Sequence, residues 1–199
     1  ILFDPARVTV NHSEASQACS ETDFGVDYTH ARGQRAQANP CAAGYPVFDR
    51  PPYIADLTIR SVSGEDALEL QVIVNHFKSR RGDETENRPQ RLAQVQHVAR
   101  LMEGPRRIAL GDFNDTPDSA TMQQLSTFAD LYDTHVLRAD AYTYIYNGLA
   151  ETPDYAITTR DLLRYIKTAE PIHINADYPD LRVPDRTSRR GSDHDPLLV

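Results

Sequence analysis

The chain has 199 residues, of which 40% are hydrophobic and 25% charged, and it carries a formal net charge of -8. This length supports one domain with a hydrophobic core and is short for two. The acidic charge excludes a protein that coats nucleic acid through a basic surface, but not a nuclease that holds its substrate through a metal ion and a few arginines. The sequence contains no run of about 18 apolar residues that would predict a membrane span, and no leader is recognisable at its start.

The first part of the chain is predicted to contain little regular structure. Residues 1–10 are typical of the end of a strand or hairpin. Residues 11–47 contain several Gly and Pro residues and no sustained period, which predicts a long loop. Alternation of apolar and polar residues then predicts strands at residues 53–60 and 68–77.

An amphipathic helix is predicted at residues 89–102, ended by Gly104 and Pro105. Its apolar stripe consists of Leu92, Val95, Ala99 and Met102, and the residues expected off this stripe are Arg88, Arg91, Gln94 and Arg100. A second helix is predicted at residues 117–127, and further strands at 106–110, 142–148, 154–159, 170–174 and 196–199. This order favours mixed α/β layers over a doubly wound parallel sheet.

The two cysteines, Cys19 and Cys41, lie in the predicted loop without a CxxC motif or a histidine at zinc-site spacing. A disulfide between them would stabilise the fold by about 3 kcal/mol in the chain-entropy model. Such a bridge would indicate an oxidising compartment. Two unpaired buried thiols are the alternative.

Four polar clusters stand at the ends of predicted strands: NHFKSR at 75–80, GDFND at 111–115, PDYAIT at 153–158 and SDHDP at 192–196. The first two follow a strand and the last two precede one. If these pairs run antiparallel, all four clusters meet at one edge of a sheet. The sequence therefore predicts a single site there.

In GDFND, an extended backbone would direct Asp112 and Asn114 to one side and Phe113 to the core. A turn in which the Asp and Asn side chains bond their own backbone is the alternative. His194 stands between two carboxylates. It is either a salt-bridged surface residue or a group that transfers protons near neutral pH. Several carboxylates without a cysteine suit a hard cation such as Mg²⁺, Mn²⁺ or Ca²⁺.

The motifs NHFKSR, LGDFNDTP, DYAITT and SDHDPLLV, in this order, resemble those of the endonuclease/exonuclease/phosphatase superfamily, whose metal-dependent members share the deoxyribonuclease I fold. FDRPPYIADL and PIHINADYP are similar to segments of its bacterial extracellular nucleases. The resemblance covers residues 3–199. It implies one α+β domain, a DNase I-like four-layer sandwich of two packed mixed β-sheets flanked by helices.

The resemblance also implies roles for the polar residues. Asp154 would pair with His194, the general base or transition-state stabiliser at the scissile phosphate. Asp112 and Asn114 would hold the attacking water and a phosphate oxygen. Asp193, together with Asp112, would bind the metal ion.

A second group would handle the leaving group and the substrate. His76 would be the acid for the leaving oxygen, with Asn75 supporting it. Arg50 would contact substrate phosphate, and Lys78 would either do the same or remain a solvated charge.

One departure from the superfamily concerns the metal site. Its members also use an early asparagine and a metal-binding glutamate, and no stretch before Cys19 supplies them. Glu14 lacks the preceding apolar strand. We therefore expect the chain to correspond to the C-terminal two-thirds of a domain, with an incomplete metal site and little activity by itself.

The remaining features favour ordinary structural roles. His12, His30, His97, His135 and His173 are expected to be structural or exposed. Residues 79–82 and 185–190 are expected to be solvated loops, with phosphate contact as the alternative. The tyrosines of segment 141–148 are expected to pack in the core in preference to stacking on bases.

The leading functional hypothesis is a secreted, metal-dependent nuclease that hydrolyses DNA, or RNA as well, by in-line attack of an activated water. A phosphatase or phospholipase of the same fold is a second hypothesis, but it needs an apolar or polybasic lipid-facing surface, which is not found. A non-catalytic binding module is the third. The missing glutamate favours it, and the intact polar motifs argue against it.

Overall fold

The computed structural model describes residues 3–24, 40–64, 67–131, 141–178 and 191–199. Their strands are β1 (Val8–Ala15), β2 (Tyr53–Arg60), β3 (Ala67–His76), β4 (Arg107–Asp112), β5 (Ala129–Asp130), β6 (Tyr144–Tyr146), β7 (Leu149–Glu151), β8 (Asp154–Thr158), β9 (Glu170–Pro171) and β10 (Leu197–Leu198). Their helices are α1 (Ser20–Phe24), α2 (Glu84–Leu101) and α3 (Ala120–Gln123), with a 3₁₀ helix at Arg160–Tyr165.

A six-stranded mixed sheet in the order β1-β2-β3-β4-β8-β5 forms the centre of the fold. Strands β3 and β4 are parallel and are connected through α2, while β4 and β8 are antiparallel. The ends of β3 and β4 and the start of β8 therefore share one edge of the sheet. The predicted meeting of these three clusters is confirmed, and the mixed sheet with few helices agrees with the predicted fold class.

Two short pairs of strands lie outside the main sheet. Strands β6 and β7 form a hairpin, and β9 pairs antiparallel with β10. The fourth polar cluster, before β10, reaches the same edge through the hairpin, because Tyr144 of β6 forms an isolated bridge with His194.

Two elements near the start of the chain correct the prediction of a loop at residues 11–47. Strand β1 continues to Ala15 because it pairs with β2 from Val8↔Ile59 to Ala15↔Tyr53, and α1 follows. Tertiary pairing thus overrides a local sequence without clear alternation. Cys19 and Cys41 are joined by a disulfide with a Cα–Cα distance of 5.6 Å.

Helix α2 starts earlier than predicted, because the Asp83 side chain accepts a hydrogen bond from the Thr85 backbone N–H at 2.9 Å and caps the first turn. The prediction that its polar residues lie off the buried face is wrong for Arg91 and Gln94, which are 2% and 1% exposed. The helix predicted at residues 117–127 is shorter in the structure, where α3 covers Ala120–Gln123 and is followed by turns.

The buried polar residues of α2 hold loops at the edge of the sheet that carries the clusters. Gln90 and Gln94 each donate to the Val47 carbonyl at 3.0 Å, and Gln94 also accepts from the Lys78 backbone N–H at 2.8 Å. Each of these bonds satisfies a buried amide that would otherwise destabilise the fold. The helix therefore supports the loop after β3 as well as the core.

The main core lies between the sheet and α2, and it extends beneath the edge with the polar clusters. The rings of Phe48, Phe77, Phe113 and Tyr155 contact one another in series, with centroid distances of 6.1, 4.7 and 5.5 Å. A smaller cluster covers the other face of the sheet. No helix in the described part of the chain combines the length and the apolar character needed to cross a membrane.

Candidate active site

Three polar side chains are aligned across the edge of the main sheet. In the register of the strands, His76 of β3 pairs with Asp112 of β4, and Asp112 pairs with Asp154 of β8. Gly111 allows β4 to approach β3 at this point, since a Cβ atom there would lie 2.1 Å from the Asn75 carbonyl oxygen. Any side chain at position 111 would separate the two strands that carry His76 and Asp112.

Asp112 and Asn114 form a tight turn that faces the cleft. The Asn114 backbone N–H donates to Asp112 Oδ1 at 2.8 Å, and its side-chain amide donates to Asp112 Oδ2 at 2.9 Å. The predicted extended backbone is wrong at Asn114, which has φ +50°, so the turn alternative describes the local geometry. Phe113 is fully buried, as predicted, and both polar side chains line the cleft.

His194 and Asp154 form a hydrogen-bonded pair. His194 Nδ1 lies 2.7 Å from Asp154 Oδ2, and the Thr143 hydroxyl donates to the same oxygen at 2.6 Å. Thr143 is fully buried and Asp154 is 9% exposed, so the carboxylate is held on the protein side of the imidazole. This arrangement orients the other ring nitrogen of His194 and stabilises the imidazolium form.

Burial and neighbouring charges shift the pKa values of the titrating groups in the cleft. Burial, followed by the charge of Asp154, raises the pKa of Asp112 to about 6. Burial acts to lower the pKa of His194, but its hydrogen bond to Asp154 and the charges of Asp154, Asp112 and Asp193 raise it above the usual value. The site therefore favours a protonated His194 beside a carboxyl group that ionises near neutral pH.

His76 has the opposite tendency. Arg50 Nη1 lies 2.8 Å from His76 Nδ1, and because a guanidinium only donates, that nitrogen accepts. Burial first, and then the charges of Arg50 and His194, lower the pKa of His76. The neutral imidazole is favoured, which suits a proton acceptor better than the acid role implied by the resemblance.

The structure places the three predicted substrate-binding residues beside this centre. Arg50 contacts His76, and Lys78 forms an ion pair with Asp49 at 3.1 Å. Asn75 is 4% exposed, and its amide donates to the Ile73 carbonyl at 3.0 Å. Within the described residues its Oδ1 has no hydrogen-bond partner, which is uncommon for a buried amide.

A cleft of about 700 Å³ is lined by the predicted residues His76, Asp112, Asn114, Asp154, Asp193 and His194, whereas Arg50, Asn75 and Lys78 lie outside its lining. Arg80, Arg81, Tyr144 and Tyr146 also line it. Arg80 forms an ion pair with Glu151. The expectation that the tyrosines of segment 141–148 pack in the core is wrong for Tyr144 and Tyr146, because the hairpin β6–β7 directs them into the cleft.

A second histidine–aspartate pair lies behind the loop that carries His194. His173 Nδ1 lies 2.8 Å from Asp195 Oδ2, and the Asp195 side chain is completely buried. Asp195 Oδ1 accepts from the backbone N–H groups of residues 174, 175 and 176 at 3.0, 2.7 and 2.9 Å. Asn175 in turn donates to the His194 carbonyl at 2.8 Å. The His173–Asp195 pair therefore holds residues 174–176 and, through Asn175, supports the loop that carries His194.

A buried arginine supports the other side of the centre. Arg91 Nε donates to Asp115 at 3.0 Å, and its Nη2 donates to Glu84 at 2.6 Å. Asp115 follows the Asp112 turn, so this ion pair links that turn to α2. Sequence reasoning missed Arg91, Thr143, Tyr144 and Asp195. Of these, only Asp195 and Tyr144 had a signal in the sequence: Asp195 stands in SDHDP, and Tyr144 stands in the alternating segment 141–148.

Asp112 and Asp193 are the residues that could hold a cation. Mg²⁺ usually binds through one or two carboxylates, with water and substrate phosphate as the other ligands, and these two side chains supply that donor type. The charge of Asp193 also contributes to the raised pKa of Asp112, which a bound cation would reverse. Among the residues that the structure describes, no group of three or more His, Cys, Asp or Glu is placed to hold a metal.

Glu14 does not complete this set. It lies on β1, the outermost strand on one side of the main sheet, and its side chain is 63% exposed next to His12. Two other histidines that lie outside the motifs have structural contacts. His97 forms a hydrogen bond with Ser16 Oγ at 3.0 Å, and His173 pairs with Asp195. His30, His135 and residues 185–190 lie outside the described residues.

Similar solved structures were found for this fold. An endonuclease/exonuclease/phosphatase family protein from Bacteroides thetaiotaomicron is 14% identical with a TM-score of 0.53, and 98% of this chain covers 65% of it. An endonuclease/exonuclease/phosphatase from Bacteroides vulgatus is 17% identical with a TM-score of 0.51, and 98% of this chain covers 66% of it. The chain thus spans about two thirds of the length of each.

A third structure, a functionally unknown conserved protein from Enterococcus faecalis, is 15% identical with a TM-score of 0.50, and 98% of this chain covers 67% of it. No protein-family model matches the sequence, and no curated protein is significantly similar to it. At these identities the similarity concerns the fold. The chain therefore shares the DNase I-like fold of these endonuclease/exonuclease/phosphatase structures.

Proposed function

We propose that the protein is a divalent-metal-dependent phosphodiesterase that hydrolyses nucleic acid, with DNA as the favoured substrate. The observation that carries this proposal is the His194–Asp154 pair at 2.7 Å, which shares one cleft with Asp112, Asn114 and His76. These groups come from four separate segments of the chain, and their convergence supplies proton-transfer groups and hard oxygen ligands together.

In the proposed reaction, water attacks the phosphorus in line with the leaving oxygen. The Asp112 carboxylate accepts the water proton, and Asn114 orients that carboxylate, because its side-chain amide donates to Asp112 Oδ2 and to the Phe77 carbonyl. Protonated His194, held by Asp154, stabilises the charge on the pentacoordinate phosphate and gives its proton to the leaving oxygen as the bond between that oxygen and phosphorus breaks. A cation held by Asp112 and Asp193 would neutralise charge on the phosphoryl oxygens.

We further propose that the protein is secreted. The Cys19–Cys41 disulfide supports an oxidising compartment. The other hypotheses have less support. A phospholipase would need a polybasic lipid-facing surface, and the two arginines of the cleft, Arg80 and Arg81, are instead engaged by Glu151 and Tyr144. The polar groups of a decayed binding module would also have no reason to stay mutually hydrogen-bonded.

Hydrolysis of a plasmid and of a labelled oligonucleotide by the full natural protein tests the proposal. We expect cleavage with Mg²⁺ or Mn²⁺, loss of cleavage in EDTA, and poor recovery with Zn²⁺, because the donor set is all oxygen. Undiminished cleavage in EDTA would remove the metal mechanism. Absence of cleavage with every divalent cation would remove the proposed function.

A further inference from the structure

A row of aromatic rings leads from His194 to the rim of the cleft. The Tyr144 ring stacks on the His194 ring, with centroids 4.5 Å apart and planes inclined by 25°. Tyr146, on the same side of β6, lies nearly parallel to Tyr144 at 6.2 Å and 16°. Tyr146 is 42% exposed. The row therefore ends in a ring that is accessible from the cleft.

Arg81 joins the two tyrosines. Its Nη2 donates to the Tyr144 hydroxyl at 2.8 Å, and its guanidinium carbon lies 5.2 Å from the centre of the Tyr146 ring. An arginine at this distance interacts favourably with the ring face that it covers, and the Tyr146 side chain is still exposed beside it. Arg81 therefore fixes the orientation of both rings at the rim.

The position of Tyr146 is not explained by support of the catalytic histidine. Of the two tyrosines, Tyr144 is the one that stacks on His194, and Tyr146 lies one ring further from it. A purely structural hairpin would bury its larger apolar surface, yet Tyr146 is exposed in the same cleft that holds the reacting groups. An exposed, oriented aromatic ring with an adjacent arginine is the combination that binds flat ligands by stacking.

We propose that Tyr146 and Arg81 form a stacking subsite for an unpaired nucleobase close to the scissile phosphate. This inference rests on the proposed function and narrows its substrate to single-stranded nucleic acid. In a duplex both faces of each base are covered by neighbours, whereas an unpaired base can place one face on Tyr146. With a net charge of -8, the protein gains little from bulk phosphate attraction, so stacking provides affinity that such a protein otherwise lacks.

The test compares an oligothymidylate with an oligomer of the same length whose nucleotides are replaced by abasic tetrahydrofuran phosphates. The measured quantity is kcat/KM for the oligothymidylate divided by kcat/KM for the abasic oligomer. We expect Tyr146→Ala to lower this ratio about 5- to 100-fold, as expected for loss of stacking on one base, and Tyr146→Phe to preserve it.

Tyr165→Ala is the matched control. Tyr165 is also 42% exposed and has Arg164 over its ring at 4.8 Å, but it lies on the 3₁₀ helix outside the cleft. This variant should keep the wild-type ratio. A Tyr146→Ala ratio within twofold of wild type, or an equal loss in Tyr165→Ala, would overturn the subsite.

A binding measurement separates failure of the subsite from failure of the proposed function. Fluorescence anisotropy of a labelled oligothymidylate in EDTA reports affinity without hydrolysis. We expect weaker binding by Tyr146→Ala than by wild type, and weaker binding of a duplex of the same length. If the protein cleaves no nucleic acid, this result still supports the subsite. Equal affinities of wild type and Tyr146→Ala would contradict it.

Discussion

Two histidine–aspartate pairs include a residue of the loop at 193–195, one through His194 and the other through Asp195. Their hydrogen-bond distances are almost the same. His194–Asp154 and His173–Asp195 have nitrogen–oxygen distances of 2.7 and 2.8 Å. They differ in what else contacts the carboxylate. Asp195 accepts three backbone N–H groups, whereas Asp154 accepts the Thr143 hydroxyl and lies beside Asp112. The surroundings of the acid, rather than the pair itself, distinguish the pair that we propose to react from the one that supports the loop.

The largest expected effect is on activity at the reacting pair. His194→Ala and Asp112→Ala should each lower kcat/KM by at least about 1,000-fold with the fold intact, because in the proposed reaction both residues act on the transition state. His173→Ala, the matched change in the supporting pair, should lose far less. Steady-state hydrolysis and circular dichroism on the three variants check this. Activity of His194→Ala or Asp112→Ala within tenfold of wild type would refute the assignment.

The next effect concerns the carboxylate behind His194. Asp154→Asn should lower kcat by about 100- to 10,000-fold, because the neutral amide no longer stabilises the imidazolium. Its midpoint of thermal unfolding should change little, since an oxygen remains for the Thr143 hydroxyl. Kinetics and a thermal melt on one preparation measure both. A large fall in the melting midpoint with unchanged kcat would show that Asp154 is structural.

The supporting carboxylate should show the reverse. Asp195→Ala leaves the backbone N–H groups of Asn175 and Ala176 without their acceptor and His173 without its partner, and we expect it to lower the free energy of unfolding by about 2–4 kcal/mol. Urea unfolding measures this loss. A destabilisation below about 0.5 kcal/mol would mean that Asp195 does not anchor residues 174–176.

The smallest effect is on the pH dependence of stability. Burial acts to raise the pKa of Asp195, but hydrogen bonds from Ala176, His173, Asn175 and Ile174 lower it below the usual value. A depressed folded-state pKa stabilises the protein above the unfolded pKa of about 3.9, and this stabilisation is lost as the pH falls through the folded pKa. Asp195→Asn should therefore lose less stability than wild type between about pH 5 and pH 2. Parallel unfolding curves over that range would contradict the prediction.

Much of the central sheet and of the candidate site could be predicted from local patterns. Alternation identifies β2 and β3, and the order of strand and polar cluster correctly places His76, Asp112 and Asp154 at one edge. These inferences succeed because strand periodicity and chain direction are local properties.

The missed features depend on partners distant in sequence. Arg91 is buried because Asp115 and Glu84 neutralise it, and a helical pattern records the side chain but not its partners. Tyr144 and Tyr146 alternate as core residues would, but β6 is a short hairpin strand, and the position of His194 decides which of its faces meets the cleft. The positive φ of Asn114 follows from its bonds to Asp112.

The buried Arg91 ion pairs also affect how the protein responds to heat. The cost of desolvating charged groups falls as temperature rises, whereas the contribution of apolar burial levels off. The link from α2 to the Asp112 turn therefore loses less of its strength on warming than the surrounding apolar contacts do. The Asp112 turn should remain anchored to its helix up to temperatures at which the outer strands of the sheet begin to separate.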